Sequence, residues 1–178
     1  MRIVLNLMKK PEYEIIDNFF EKDHFEKLKE IAMSEEMPWY WGEVTWRYVG
    51  DPEPVHRYFQ HTLYNQAFVY SQFYEEFSIG FWEKLKMKAL MRMKLNLYPQ
   101  TQTIEVHNRH IDYIYDHKGC LFSFNTCDGF TTLEDGTKIE SVANRALLFN
   151  PSKFHSSCST TNDKARLNMN INYFYYKP

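Results

Sequence analysis

Two periodicities divide the chain. In "NFFEKDHFEKLKEIAMSEEM", Phe25, Leu28 and Ile31 (or Ala32) recur at helical spacing with Glu and Lys between them, the mark of a helix with one buried stripe. Pro38 is expected to stop that helix, because proline offers no N–H and clashes with the preceding turn. The stretch from about Trp39 to His61 has no clear period and reads as loop with short strands. A second, aromatic-rich helix is expected from about Gln66 to Lys88, its closing lysines complementing the helix dipole.

From Arg92 onward the period falls to two. In "RMKLNLY", Met93, Leu95 and Leu97 share one face while Arg92, Lys94, Asn96 and Tyr98 share the other, and Pro99 ends the run. Short strands are expected at 103–107, 109–115, 120–125, 130–133, 137–142, 145–149 and 166–176, and another over Ile3 to Leu7. Glu134-Asp135-Gly136 reads as a hairpin turn and Asn150-Pro151 as a second turn. Helices first and many short strands afterwards predict an α+β, mainly β fold, with a sheet sandwich or jelly roll. No repeat or linker interrupts it, so residues 1–178 are read as one domain.

Composition narrows the functions. The formal charge of -2 gives no basic stripe, so a nucleic-acid partner is not expected. No apolar run is long enough for a membrane span, and the N-terminal one is too short for a signal peptide. Cys120, Cys127 and Cys158 form no CxxC pair and read as reduced thiols, which points to a cytoplasmic location. Aromatics reach 17%, so rings are expected to fill the core or line a cleft. The segment with Trp39, Tyr40, Trp41 and Trp46 is read as packing between helix and sheet, with a lid or peptide groove as the other reading.

The candidate chemistry centres on "EVHNRHIDY". If this is a strand, His110 and Asp112 point the same way, and His107 and Arg109 point outward unless a bulge intervenes. A pair of ligands holds a metal weakly, and His155, after the strand Ala146–Phe149 and its turn, is a candidate third. Two His and one carboxylate suit a non-haem Fe(II) site with open positions. In "RLNMNINYFYY", Arg166, Asn168, Asn170 and Asn172 form a polar face opposite Leu167, Met169, Ile171 and Tyr173. That face reads as the lining of a wet cavity or as a solvent-facing edge. In a cavity, the Arg166 guanidinium could hold a carboxylate bidentately.

His110-x-Asp112, His155 and Arg166, in this order and strand context, resemble the 2-oxoglutarate/Fe(II)-dependent dioxygenases. The chain is most similar to short prolyl-4-hydroxylase-like members, including ones encoded by phages of marine bacteria, for which the location would be the host cytoplasm. The resemblance implies a double-stranded β-helix, a jelly roll core with N-terminal helices packed on one sheet, in which His110, Asp112 and His155 bind Fe(II). Arg166 would pair with the far carboxylate of 2-oxoglutarate, and Tyr98 would face the same co-substrate. Asn96 and Asn168 are expected to face this interior as further contacts. The strand after His-x-Asp departs from the family pattern: many relatives carry paired tyrosines in it, whereas this stretch reads Leu121-Phe122-Ser123-Phe124-Asn125, and Ser123 would leave a slot for water.

The implied reaction consumes dioxygen and 2-oxoglutarate and hydroxylates a substrate C–H bond. The substrate is unassigned: a prolyl side chain in a protein, or else a small molecule or nucleobase. A jelly roll that keeps a metal without turnover is the reading from another class.

Overall fold

The computed structural model describes residues 12–43 and 57–175, so the strand expected over Ile3 to Leu7, and Trp46, lie outside the described residues. In chain order the elements are β1 (Glu14–Ile16), α1 (Lys22–Met33), β2 (Tyr40–Glu43), β3 (Arg57–Asn65), β4 (Phe68–Val69), α2 (Tyr74–Lys84) and β5 (Met87–Pro99). They continue with β6 (Lys118–Ser123), β7 (Cys127–Thr132), β8 (Lys138–Ser141), β9 (Arg145–Phe149) and β10 (Ala165–Tyr175).

The two faces of β10 set the layers. Its apolar side chains and its polar ones are both largely buried, which only a strand covered on each side permits. It sits inside an antiparallel sheet of order β1-β9-β6-β10-β5-β3-β2, with β4 paired to β3. On one face of this sheet, Met93, Leu95, Phe122, Met169 and Ile171 pack against Phe25, Leu28 and Ala32 of α1 and Phe77 and Phe81 of α2. Phe122 meets Phe20, Phe81 and Phe124 edge-on at 5.5, 5.3 and 5.1 Å, the arrangement ring quadrupoles favour.

The other face looks onto a second layer. There the hairpin of β7 and β8 turns at Gly136, whose φ of 87° favours glycine. The layer is extended by bridges from Thr132 to Ser156, from Val106 to Cys158 and from His110 to His155. The architecture is therefore the expected one, mainly β, with two helices among the described residues on one side of a two-layer jelly roll.

Several boundaries differ from expectation. Helix α1 ends at Met33, short of Pro38: Ser34 is extended and its hydroxyl donates to the Ile31 carbonyl at 2.9 Å. The expected second helix forms but is shorter at both ends. Gln66 and Ala67, at φ 46° and 73°, turn the chain between β3 and β4, so α2 covers only Tyr74–Lys84 and β5 already begins at Met87. Neither residue is a usual left-handed turn former, so no local signal marked this hairpin. Stretches 103–107 and 109–115 are not continuous strands but carry single bridges. Trp39 packs on the core, whereas Tyr40 and Trp41 are 61% and 57% exposed, against the core reading of that segment. No helix among the described residues is long and apolar enough to cross a membrane.

Truncating Phe122, which has no exposed surface, removes the ring that joins both helices to the sheet. Phe122→Ala is expected to cost about 3–5 kcal/mol in urea unfolding, and a loss below about 1 kcal/mol would show that the cluster does not hold the layers together.

Candidate metal centre

The backbone first brings the two histidines together. His110 N–H donates to the His155 carbonyl at 2.8 Å and His155 N–H returns the bond at 2.9 Å, so they form a hydrogen-bonded cross-strand pair. Their rings lie 4.5 Å apart. Nδ1 of His155 lies 3.0 Å from the Lys153 carbonyl and Nδ1 of His110 lies 3.3 Å from that of Asn108. If each Nδ1 carries the proton and donates there, both Nε2 lone pairs are left for a metal. Phe149 braces the His155 ring edge-on at 5.1 Å.

Asp112 comes into register because its N–H donates to the Pro151 carbonyl, in the turn before His155. One potential ligand atom from each of His110, Asp112 and His155 then lies within 4.8 Å of the other two. The carboxylate is strongly held. Oδ2 accepts from the amides of Asn170 at 3.1 Å and Asn172 at 2.8 Å, and Oδ1 pairs with Arg92 at 2.9 Å. Of its roughly four lone-pair directions, three are filled. The remaining one belongs to Oδ1, which lies 3.8 Å from His110 Nε2.

Electrostatics follow from this packing. Burial alone would raise the Asp112 pKa, but Arg92, His155 and the Asn172 amide hold it well below the ordinary carboxylate range. Burial, with the neighbouring His155 and Arg92, pulls His110 down to about 4 despite Asp112. Both groups are thus in their metal-binding protonation states at neutral pH.

The polar face of the large sheet forms rows across β3, β5 and β10. Tyr58, Tyr98 and Arg166 make one row, with the tyrosines stacked at 5.3 Å and the guanidinium 5.9 Å from the Tyr98 ring. In the next, Asn96 donates to Asn168 at 3.0 Å. Lys94 and Asn170 follow, then Arg92 and Asn172. Arg166 is 1% exposed; it donates to the carbonyls of Phe130 and Cys158 and to the Thr131 hydroxyl. Its Nε, and Nδ2 of Asn168, are buried donors with no partner. Ser123 lines a small void of about 10 Å³ with Leu121, Thr131 and Arg166.

One orientation differs from expectation. His107 does not face outward: it is 4% exposed, its Nδ1 lies 2.7 Å from Ser157 Oγ and its ring 5.1 Å from that of Tyr98. The cause is a register shift. Val106 pairs with Cys158 but His110 pairs with His155, so four steps on one side oppose three on the other. The extra residue returns His107 and His110 to the same side. Arg109 does face out, bonded to the Glu134 carbonyl and over the Phe154 ring. Arg92, Lys94 and His117, which accepts from Asn172 at 3.0 Å, also enter the site. The alternation of β5 already placed Arg92 and Lys94 on the face of Tyr98.

The low His110 pKa has a consequence for stability. The unfolded chain takes up a proton near pH 6.5, whereas the folded chain waits until about pH 4. Stability contributed by neutral His110 is therefore complete above about pH 6.5 and drains as pH falls toward 4, by about 3 kcal/mol in all. Urea midpoints of the metal-free protein at pH 7 and 4.5 should differ accordingly, and His110→Asn should flatten the difference.

No protein-family model matches this sequence, and no curated protein matches it. Solved structures do. A 2OG-Fe(II) oxygenase-family oxidoreductase from Burkholderia pseudomallei superposes with a TM-score of 0.65 at 10% identity, over 93% of this chain and 86% of that one. A Trichoplax adhaerens prolyl hydroxylase, solved with a hypoxia inducible factor peptide fragment, gives 0.65 at 14% identity, over 93% and 84%. The viral collagen prolyl hydroxylase of Paramecium Bursaria Chlorella virus-1 gives 0.59 at 12%, over 94% and 98%. At these identities the likeness is one of fold. The chain has the fold of the 2OG-Fe(II) oxygenases and, inside it, a His-x-Asp…His cluster able to hold a metal.

Proposed function

We propose that the protein is an Fe(II)- and 2-oxoglutarate-dependent dioxygenase that hydroxylates a substrate C–H bond. The observation that carries this is the convergence of His110, Asp112 and His155 on one point. Two neutral imidazoles and one carboxylate on one face of an octahedron hold Fe(II) and leave positions open for co-substrate and dioxygen. When bound, iron and 2-oxoglutarate supply the redox chemistry: dioxygen is reduced, 2-oxoglutarate becomes succinate and carbon dioxide, and one oxygen atom enters the substrate.

The residues around the cluster fit such a co-substrate. The unpartnered Nε of Arg166 and Nδ2 of Asn168 are donors a carboxylate would satisfy. Tyr98 Oη, which accepts from Ser157 at 3.3 Å, still has its own proton to give. Thr131 and two carbonyls hold the guanidinium in place without the flexibility of a lysine. Gly129 makes room for it: a Cβ there would lie 2.6 Å from Arg166 Cδ and 2.8 Å from the Ser159 carbonyl oxygen. Asn170, Asn172 and Arg92 orient the metal carboxylate. A prolyl side chain as substrate is supported by the likeness to two prolyl hydroxylases. A small molecule is the second reading, favoured by the cationic side chains on the interior face of β5.

Anaerobic addition of Fe(II) and 2-oxoglutarate should produce a weak visible charge-transfer band that His155→Ala abolishes. Admission of oxygen should then release succinate. No band and no succinate would mean a jelly-roll binding module instead. Proline-rich peptides should accelerate succinate release if the substrate is prolyl; indifference would point to a small molecule. Gly129→Ala should raise the 2-oxoglutarate concentration for half-maximal band by about tenfold or more, with metal affinity retained.

A further inference from the structure

Lys94 lies on the interior face of β5, between Arg92 and Asn96 and two residues from each. Its ammonium donates to Tyr58 Oη at 3.0 Å and to Gln60 Oε1 at 3.2 Å, and Tyr58 in turn donates to Gln60 at 3.1 Å. The side chain is only half-buried yet closely surrounded. Among the described residues no carboxylate lies within ion-pairing distance of it. An amine in such a place is usually a liability, because desolvation favours its neutral form. Burial and the charge of Arg92 accordingly pull its pKa down to about 7.

Charge counting shows what this face of the sheet lacks. The polar face of β5 and β10 carries Arg92, Lys94 and Arg166, and Asp112 is the carboxylate set against them. Arg92 is committed to Asp112. On the reading of the site as an Fe(II)/2-oxoglutarate centre, Fe(II) is balanced by Asp112 and the chelating carboxylate, and Arg166 by the far carboxylate. Arg92 and Lys94 are then left in excess, and Lys94 is the one free to meet a further anion.

We propose that Lys94 recognises a carboxylate of the substrate, which makes the substrate a small carboxylic acid hydroxylated near that group rather than a prolyl residue within a peptide chain. This rests on the oxygenase reading above. The ring of a peptide proline and the amide on either side of it carry no charge, so they offer the Lys94 amine no anion, whereas a carboxylate would hold it in its charged form. One ammonium, flanked by the Tyr58 hydroxyl and the Gln60 amide, suits a single carboxylate. A phosphate dianion would need a second cation free to turn toward it, and Arg92, although its charge is in excess, is held in place by Asp112. Lys94 also sits on the β3 side of β5 while Arg166 belongs to β10, so the two cations serve different parts of the cavity. They need not compete for 2-oxoglutarate.

The test uses the full chain, loaded with Co(II) and 2-oxoglutarate in place of the reactive iron, and titrated by calorimetry with short N-acetylated amino acids and their primary amides. N-acetylproline against N-acetylprolinamide is one such pair. At least one acid should bind about tenfold or more tightly than its amide. Lys94→Met should erase that ratio, and Lys94→Arg should keep most of it. The charge-transfer band with Fe(II) and 2-oxoglutarate should stay unchanged in both variants, which also shows that they are folded. The proposal is overturned if no acid outbinds its amide, or if Lys94→Met preserves the preference. It is also overturned if Lys94→Met weakens 2-oxoglutarate instead, for Lys94 would then serve the co-substrate. A missing band in the unaltered protein sinks the oxygenase reading separately, and the same acid–amide titration on metal-free protein then decides for or against Lys94.

Discussion

The Asp112 carboxylate is the tie between the two layers. It belongs to the loop that leaves the small layer, yet Asn170, Asn172 and Arg92, which hold it, all stand on the large sheet. A carboxylate placed between sheets costs several kcal/mol unless each oxygen is satisfied. Here the satisfaction comes from strands far away in sequence, so metal-site geometry and sheet packing cannot be separated. The backbone bond from Asp112 to Pro151 carries the same constraint to the turn before His155. The three potential ligands are thus placed by the contacts that close the jelly roll.

That arrangement explains why the interior of this fold is polar while the helix-facing side is dry. The central strands of the large sheet, β5, β6 and β10, largely bury both faces. One face does so against phenylalanines and methionines under α1 and α2. The other is an array of tyrosine, asparagine, lysine and arginine whose hydrogen bonds are nearly but not wholly closed. Orphan atoms on Arg92, Arg166, Asn168 and Asn172 all lie on it. Buried polar groups without partners are destabilising, and their concentration on one interior face is the signature of a surface made to meet a ligand.

Much of this was legible beforehand. The alternation in 92–98 and 166–173 separated the greasy face from the polar one, and His110-x-Asp112, His155 and Arg166 are brought into one interior. The hairpin at Glu134-Asp135-Gly136 also formed as its turn residues demand. The failures share a cause. Gln66 and Ala67 turn the chain without Gly or Asn, so nothing local separates the short strand β4 from the helix that follows it. A strict period of two points His107 outward, but its segment contains a one-residue register shift.

By itself, then, the sequence determined which residues share a face wherever a strand is regular, since side-chain direction there is a local property of the backbone. It also determined which chemistry was on offer: two imidazoles, one carboxylate, one guanidinium. The tertiary structure alone decided where alternation breaks and which cations face the metal carboxylate. It alone left Lys94 without a carboxylate among the described residues. Those outcomes depend on pairing between strands tens of residues apart, and no local pattern of side chains encodes a register that the partner strand imposes.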